Sequence, residues 1–95
     1  MSADSGVCES DFVVKSELGL HARPAGQFVA LATRFQSEIR VARGDEWVDG
    51  RSILSLLSLA AGRGTRLSVR AEGPDAAEAV AALGQLLESG GESGR

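Results

Sequence analysis

Glu38-Ile39-Arg40-Val41-Ala42-Arg43-Gly44-Asp45-Glu46-Trp47-Val48-Asp49-Gly50 is the stretch on which the fold turns. Polar and apolar residues alternate from Glu38 to Arg43, which predicts a half-buried strand with Ile39 and Val41 facing inward. Gly44-Asp45 marks a turn, Trp47-Val48 begins a short return strand, and Asp49-Gly50 breaks it. The pair reads as a hairpin with one apolar face. Such a face needs a covering layer, and the segments on both sides of the hairpin supply helices.

On the N-terminal side, Phe28, Leu31, Ala32 and Phe35 recur at i, i+3, i+4 and i+7, one apolar helical stripe. Pro24 fits the first turn of that helix, where a missing N–H costs nothing. Leu18-Gly19 places a turn before it, and Phe12-Val13-Val14-Lys15 reads as the first strand. On the C-terminal side, Ser52 suits an N-cap. Ile53, Leu56, Leu57 and Ala60 form an inner stripe behind it, and Gly62 and Gly64 end that helix. Arg66-Leu67-Ser68-Val69-Arg70-Ala71 alternates again, with Leu67, Val69 and Ala71 inward. After Gly73-Pro74-Asp75, a last helix carries Ala76, Ala79, Val80, Leu83, Leu86 and Leu87 on one face. Glu72, Asp75 and Glu78 lie near its start, where the helix dipole favours negative charge. The order is βαββαβα. It predicts an α+β two-layer sandwich, one antiparallel or mixed sheet with helices on one side and water on the other. Residues 1–10, small, polar and acidic, read as an N-terminal tail, and residues 89–95 as a flexible C-terminal tail. The domain then spans residues 11–88.

The chain has 95 residues and a formal net charge of −3. That length allows one domain, and the acidic balance argues against nucleic-acid binding, which wants a basic face. No run of about 18 apolar residues suggests a membrane span. The first residues have neither a basic region nor an apolar signal core, so a cytoplasmic monomer is expected. One cysteine, Cys8, makes no internal disulfide and no zinc site, and reads as a bystander thiol. No metal or bound cofactor is expected in the chain itself.

The sole histidine stands in Gly19-Leu20-His21-Ala22-Arg23-Pro24-Ala25, between a glycine turn and a helix start. Neutral imidazole is a nucleophile, and its ordinary pKa near about 6.5 keeps much of it neutral in the cell. A helix N-terminus offers free N–H groups to an anion, and Arg23 adds a guanidinium that grips phosphate oxygens bidentately. Pro24 has no N–H, so the backbone donors left are those of Ala22 and Arg23. Residue types alone leave two readings open: a surface histidine that happens to precede a helix, or a nucleophile in an anion site.

That motif resembles the active site of the HPr family, the histidine phosphocarriers of the phosphoenolpyruvate phosphotransferase system. Asp49-Gly50-Arg51-Ser52-Ile53-Leu54-Ser55-Leu56 is similar to the family's second motif, and Arg70-Ala71-Glu72-Gly73 to its third. The resemblance covers nearly all of residues 11–88. It implies an open-faced β-sandwich, a four-stranded antiparallel sheet covered on one face by three helices. It further implies that His21 takes a phosphoryl group from phospho-enzyme I on Nδ1 and passes it to a histidine of enzyme IIA, with Arg23 stabilising the group. Such carriers catalyse nothing alone, and phosphoenolpyruvate and magnesium are used by enzyme I. The residue matching Ser52 is phosphorylated in many members by an HPr kinase/phosphorylase, whereas by residue type Ser52 is an N-cap. Ile53, Leu54 and Leu57 match positions that contribute to partner contacts. About 100° per residue puts Leu54 opposite the inner stripe, as the best exposed anchor.

Sugar-system carriers often have a small polar residue where Leu18 stands. Leu18-Gly19-Leu20-His21 is also similar to NPr, the carrier of the nitrogen-related branch, and Gly26, Ala30 and Thr33 leave the partner-facing side of the first helix uncharged. Other readings are a regulatory module acting through Ser52, as in Crh-like relatives that lack the active histidine, and a domain cut from a larger fusion. Met1 favours a free-standing chain.

Overall fold

Seven elements follow one another in the computed structural model, which describes residues 6–89: β1 (Val7–Val13), α1 (Ala22–Ala32), β2 (Glu38–Arg43), β3 (Glu46–Asp49), α2 (Ile53–Ser58), β4 (Arg66–Glu72) and α3 (Ala76–Glu88). Residues 1–5 and 90–95 of the two expected tails lie outside the described residues. The strands form one sheet in the order β1-β4-β2-β3, antiparallel at every junction. The open-faced α+β sandwich is therefore the architecture, and of the two sheet types expected from the residues alone it is the antiparallel one.

The alternating strands bury the residues their period selects. Ile39 and Val41 of β2 and Leu67, Val69 and Ala71 of β4 are buried, and they join Phe28, Leu56 and Leu83 of the three helices in one core. Each such large side chain contributes about 1.5–3 kcal/mol by leaving water. Among the described residues no helix is long and apolar enough to cross a membrane.

β1 begins at Val7, not at Phe12, so residues 7–10 of the expected tail are strand. Their polar character is that of an edge strand with only β4 as partner. Glu9 and Asp11 face Arg70 and Ser68, with a 3.6 Å ion pair and a 2.7 Å hydrogen bond. Cys8 sits opposite Ala71, half-buried against the core, and behaves there as a small apolar side chain.

α2 is shorter than expected. It ends at Ser58, and Ala60, ahead of Gly62 and Gly64, takes the left-handed conformation just past its end, at φ 51°. Arg43 donates to the carbonyls there, to Leu59 O at 3.0 Å and Ala60 O at 2.8 Å. The inner stripe shifts accordingly: Leu56 and Leu59 are buried, whereas Ile53 is 40% exposed and Ala60 lies at the surface.

Asp75 precedes α3, but its carboxylate is spent on another element. It accepts from Gln36 N–H at 3.0 Å, Ser37 N–H at 3.0 Å and Ser37 Oγ–H at 2.6 Å, tying the start of α3 to the turn between α1 and β2. These donors, the Ser37 hydroxyl first, hold its carboxyl below the usual carboxylate range. A carboxyl lowered on folding adds stability above its unfolded pKa, and that stability is lost as pH falls through the folded value. Ser37→Ala is therefore expected to move the acid midpoint of unfolding to higher pH, followed by circular dichroism, while Ser10→Ala leaves it in place. An unmoved midpoint in Ser37→Ala would remove Asp75 from the acid limb.

Candidate functional site

The turn that leads into α1 is built by Ser16 and Gly19. Gly19 N–H donates to Ser16 O at 2.9 Å, and the buried Ser16 hydroxyl donates to Gly19 O. Ser at the first position and Gly at the fourth is a turn signature present in the sequence, and Ser16 is a site residue that the sequence motifs around His21 do not include. Leu18, within this turn, is 75% exposed. Gly19 takes φ +77°, and a Cβ there would stand 2.5 Å from Ala61 O and 2.7 Å from Gly62 Cα. Leu20 drops into the core at 5% exposure and donates its N–H to Ala61 O at 2.8 Å. The turn is thus pinned from behind by the loop that follows α2.

His21 comes next and caps α1 with its backbone. Its N–H goes to Gly19 O at 2.9 Å, and its carbonyl accepts from Ala25 N–H at 3.0 Å. The half-exposed imidazole makes no capping hydrogen bond, so it stays available to a reactant. Ala22 and Arg23 are the first two residues of the helix, where N–H groups lack an intrahelical acceptor. Pro24 is buried behind them. Arg23 is exposed and makes no hydrogen bond or ion pair among the described residues. An imidazole, two backbone donors and a free guanidinium therefore stand in consecutive residues at one helix end, an arrangement fit to hold an anion such as a phosphoryl group.

Ser52 is the N-cap of α2, half-buried, and its Oγ accepts from Ser55 N–H at 3.1 Å. Ile53 Cδ1 lies 3.9 Å from where a Cβ on Gly26 would stand, so the start of α2 rests on the second turn of α1. Leu54 is 80% exposed, on the outside as expected, and Leu57 is half-buried against the core. Arg51 was not singled out from sequence. Its guanidinium reaches three carbonyls at the end of α1 and in the turn that follows it, Ala32 O at 3.3 Å, Phe35 O at 2.7 Å and Ser37 O at 2.9 Å. Nothing local announces that, because the acceptors are backbone atoms of another element.

Residues 8–89 match the family model described as the PTS HPr component phosphorylation site. Over 80 residues the chain is 42% identical to the phosphocarrier protein HPr of Pseudomonas aeruginosa, covering 83% of this chain and 89% of that one. It is 42% identical over 80 residues to the HPr-like protein Crh of Halalkalibacterium halodurans, covering 84% of this chain and 95% of that one. Among solved structures, HPr-C-His from Thermoanaerobacter tengcongensis is similar with a TM-score of 0.84 at 40% identity, covering 90% of this chain and 98% of that one.

Proposed function

Since the chain belongs to the HPr family of phosphocarrier proteins of the phosphotransferase system, we propose that His21 is its phosphoryl acceptor, loaded by phospho-enzyme I and unloaded onto enzyme IIA. One observation carries this reading. His21 spends its backbone on the helix start and leaves its imidazole free beside the unfilled donors of Ala22 and Arg23. The neutral imidazole attacks through Nδ1; the N–P bond of the donor phosphohistidine breaks as the new one forms. The donors take the charge on the equatorial oxygens as the group moves in line. Unloading is the same step in reverse, with the imidazole of enzyme IIA as nucleophile. The chain needs no cofactor in this scheme; phosphoenolpyruvate and magnesium belong to enzyme I. It acts as a monomer in the cytoplasm.

The test is mass spectrometry of the intact chain after incubation with phosphoenolpyruvate, magnesium and enzyme I. A single acid-labile phosphate on His21 supports the reading, and label elsewhere or no label overturns it. A second reading concerns Ser52, whose hydroxyl already sits at a helix start where phosphate is tolerated, in a chain that is 42% identical to a Crh-like relative as well. Acid-stable phosphate on Ser52 after treatment with ATP and an HPr kinase/phosphorylase would support regulation through that residue.

Ile53, Leu54 and Leu57 are proposed to dock the partner, with Leu54 as the exposed anchor. A charge placed there would be buried against the partner without a counter-ion. Leu54→Glu is expected to raise the KM of enzyme I for the carrier about tenfold, equal to about 1.4 kcal/mol of binding. Its melting curve should match that of the parent chain. Unchanged transfer kinetics would take Leu54 out of the interface.

A further inference from the structure

The sheet register sorts charge along the molecule. Val7 faces Glu72 and Val13 faces Arg66 across β1 and β4, and Glu38 faces Glu72 across β2 and β4. Glu38 and Glu72 therefore mark one end of the sheet, while Lys15, Arg63 and Arg66 gather at the other. That second end is the His21 end. Gly64 N–H donates to Val14 O at 2.8 Å, Leu20 N–H to Ala61 O at 2.8 Å, and a Cβ on Gly19 would lie 2.7 Å from Gly62 Cα. Arg63, the residue after Gly62, is thus anchored beside the turn that sets the nucleophile. The acids at this end are Glu17 in the turn itself, Glu88, whose carboxylate accepts from Val13 N–H at 3.1 Å, and Asp45 and Glu46 in the β2–β3 hairpin, which belongs to the opposite edge of the sheet from β1.

Of the seven other arginines among the described residues, four are committed. Arg43 and Arg51 hold helix carbonyls, and Arg40 and Arg70 pair with Glu38 and Glu9. Arg63 is exposed and has no hydrogen bond or ion pair among the described residues. Meanwhile Gly26 and Ala30 of α1 and its C-cap Thr33 carry no charge. The chain is acidic overall, yet it concentrates free cations where a phosphoryl donor must approach.

We propose that Arg63 is a specificity-determining cation of the transfer surface, which steers an acidic partner face onto His21 in place of the charge that α1 lacks. The inference rests on the phosphocarrier reading above. An exposed charge acts on association over about a Debye length, 8–10 Å in moderate salt, so its effect belongs to encounter and fades as salt rises.

The experiment times phosphoryl transfer from phospho-enzyme I to the full chain at low and at high salt. Arg63→Glu is expected to lower kcat/KM about tenfold at low salt, through KM, with Arg63→Gln between it and the parent. The gap should narrow at high salt. Arg34→Glu makes the same change of net charge beyond the far end of α1, about 16 Å away along the helix, and should act less than about twofold. Equal effects of Arg63→Glu and Arg34→Glu, or a loss indifferent to salt, would overturn the proposal. Should the Glu variant melt early, the Gln variant decides alone by the same salt test. A parent chain that takes no label on His21 would instead bring down the phosphocarrier reading itself.

Discussion

His21→Ala is expected to reduce labelling by phosphoenolpyruvate and enzyme I to background, the largest change any single substitution here should cause. The chain has no second histidine to take over. What remains at the site, the donors of Ala22 and Arg23, can hold a phosphoryl group but cannot form a bond to it. Folding should be nearly untouched, within about 0.5 kcal/mol, because the lost ring is half-exposed and makes no capping bond. A normal melting curve with no acid-labile phosphate is the outcome that agrees with the reading. Persistent label on another residue would show that the nucleophile lies elsewhere.

Gly19→Ala should do the second greatest harm, and by a different route. The position needs φ +77°, which costs any residue with a Cβ, and the added carbon would lie 2.5 Å from the carbonyl oxygen of Ala61. That oxygen is backbone and already accepts from Leu20 N–H, so it cannot swing aside. Backbone strain and overpacking together cost about 3 kcal/mol. Relief would come from moving the Ser16–Leu20 turn, which displaces His21. A shift near 1 Å at a reacting atom can lower transfer about 100-fold. Gly62→Ala is the control: a Cβ at Gly62 meets nothing within 4 Å, so its denaturation midpoint and its labelling rate should stay close to the parent. A Gly19→Ala chain as stable and as fast as Gly62→Ala would show that the turn is not held as described.

Much of this was legible from residue order, and the reasons differ by element. β2 has the bounds its alternation indicates, with Ile39 and Val41 in the core and Glu38, Arg40 and Arg43 exposed, although Ala42 is buried as well. β4 extends its reading by one residue, to Glu72. β1 hid its first half because it is an edge strand, in which Glu9 and Asp11 pair with Arg70 and Ser68 and only Cys8 of residues 8–11 packs on the core. The end of α2 was misplaced because glycine is the usual left-handed residue, and here Ala60 serves with Arg43 gripping the carbonyls beside it. At the site, His21, Ala22 and Arg23 are neighbours in sequence, so their grouping needed no fold to reveal it. The brace behind them did: Ala61 and Gly62 meet Gly19 and Leu20 only after α2 and its loop return to the turn.

During synthesis Val7–Val13 leaves the ribosome long before Arg66–Glu72, yet those two segments are partners. At about 5–20 residues per second the first strand waits some seconds without a mate. Glu9, Ser10 and Asp11 are poor material for pairing with a stranger in that interval. The His21 turn waits as well, since its brace comes from Ala61 and Gly62. A nascent chain that has not yet released that loop has its histidine but no brace behind the turn that holds it.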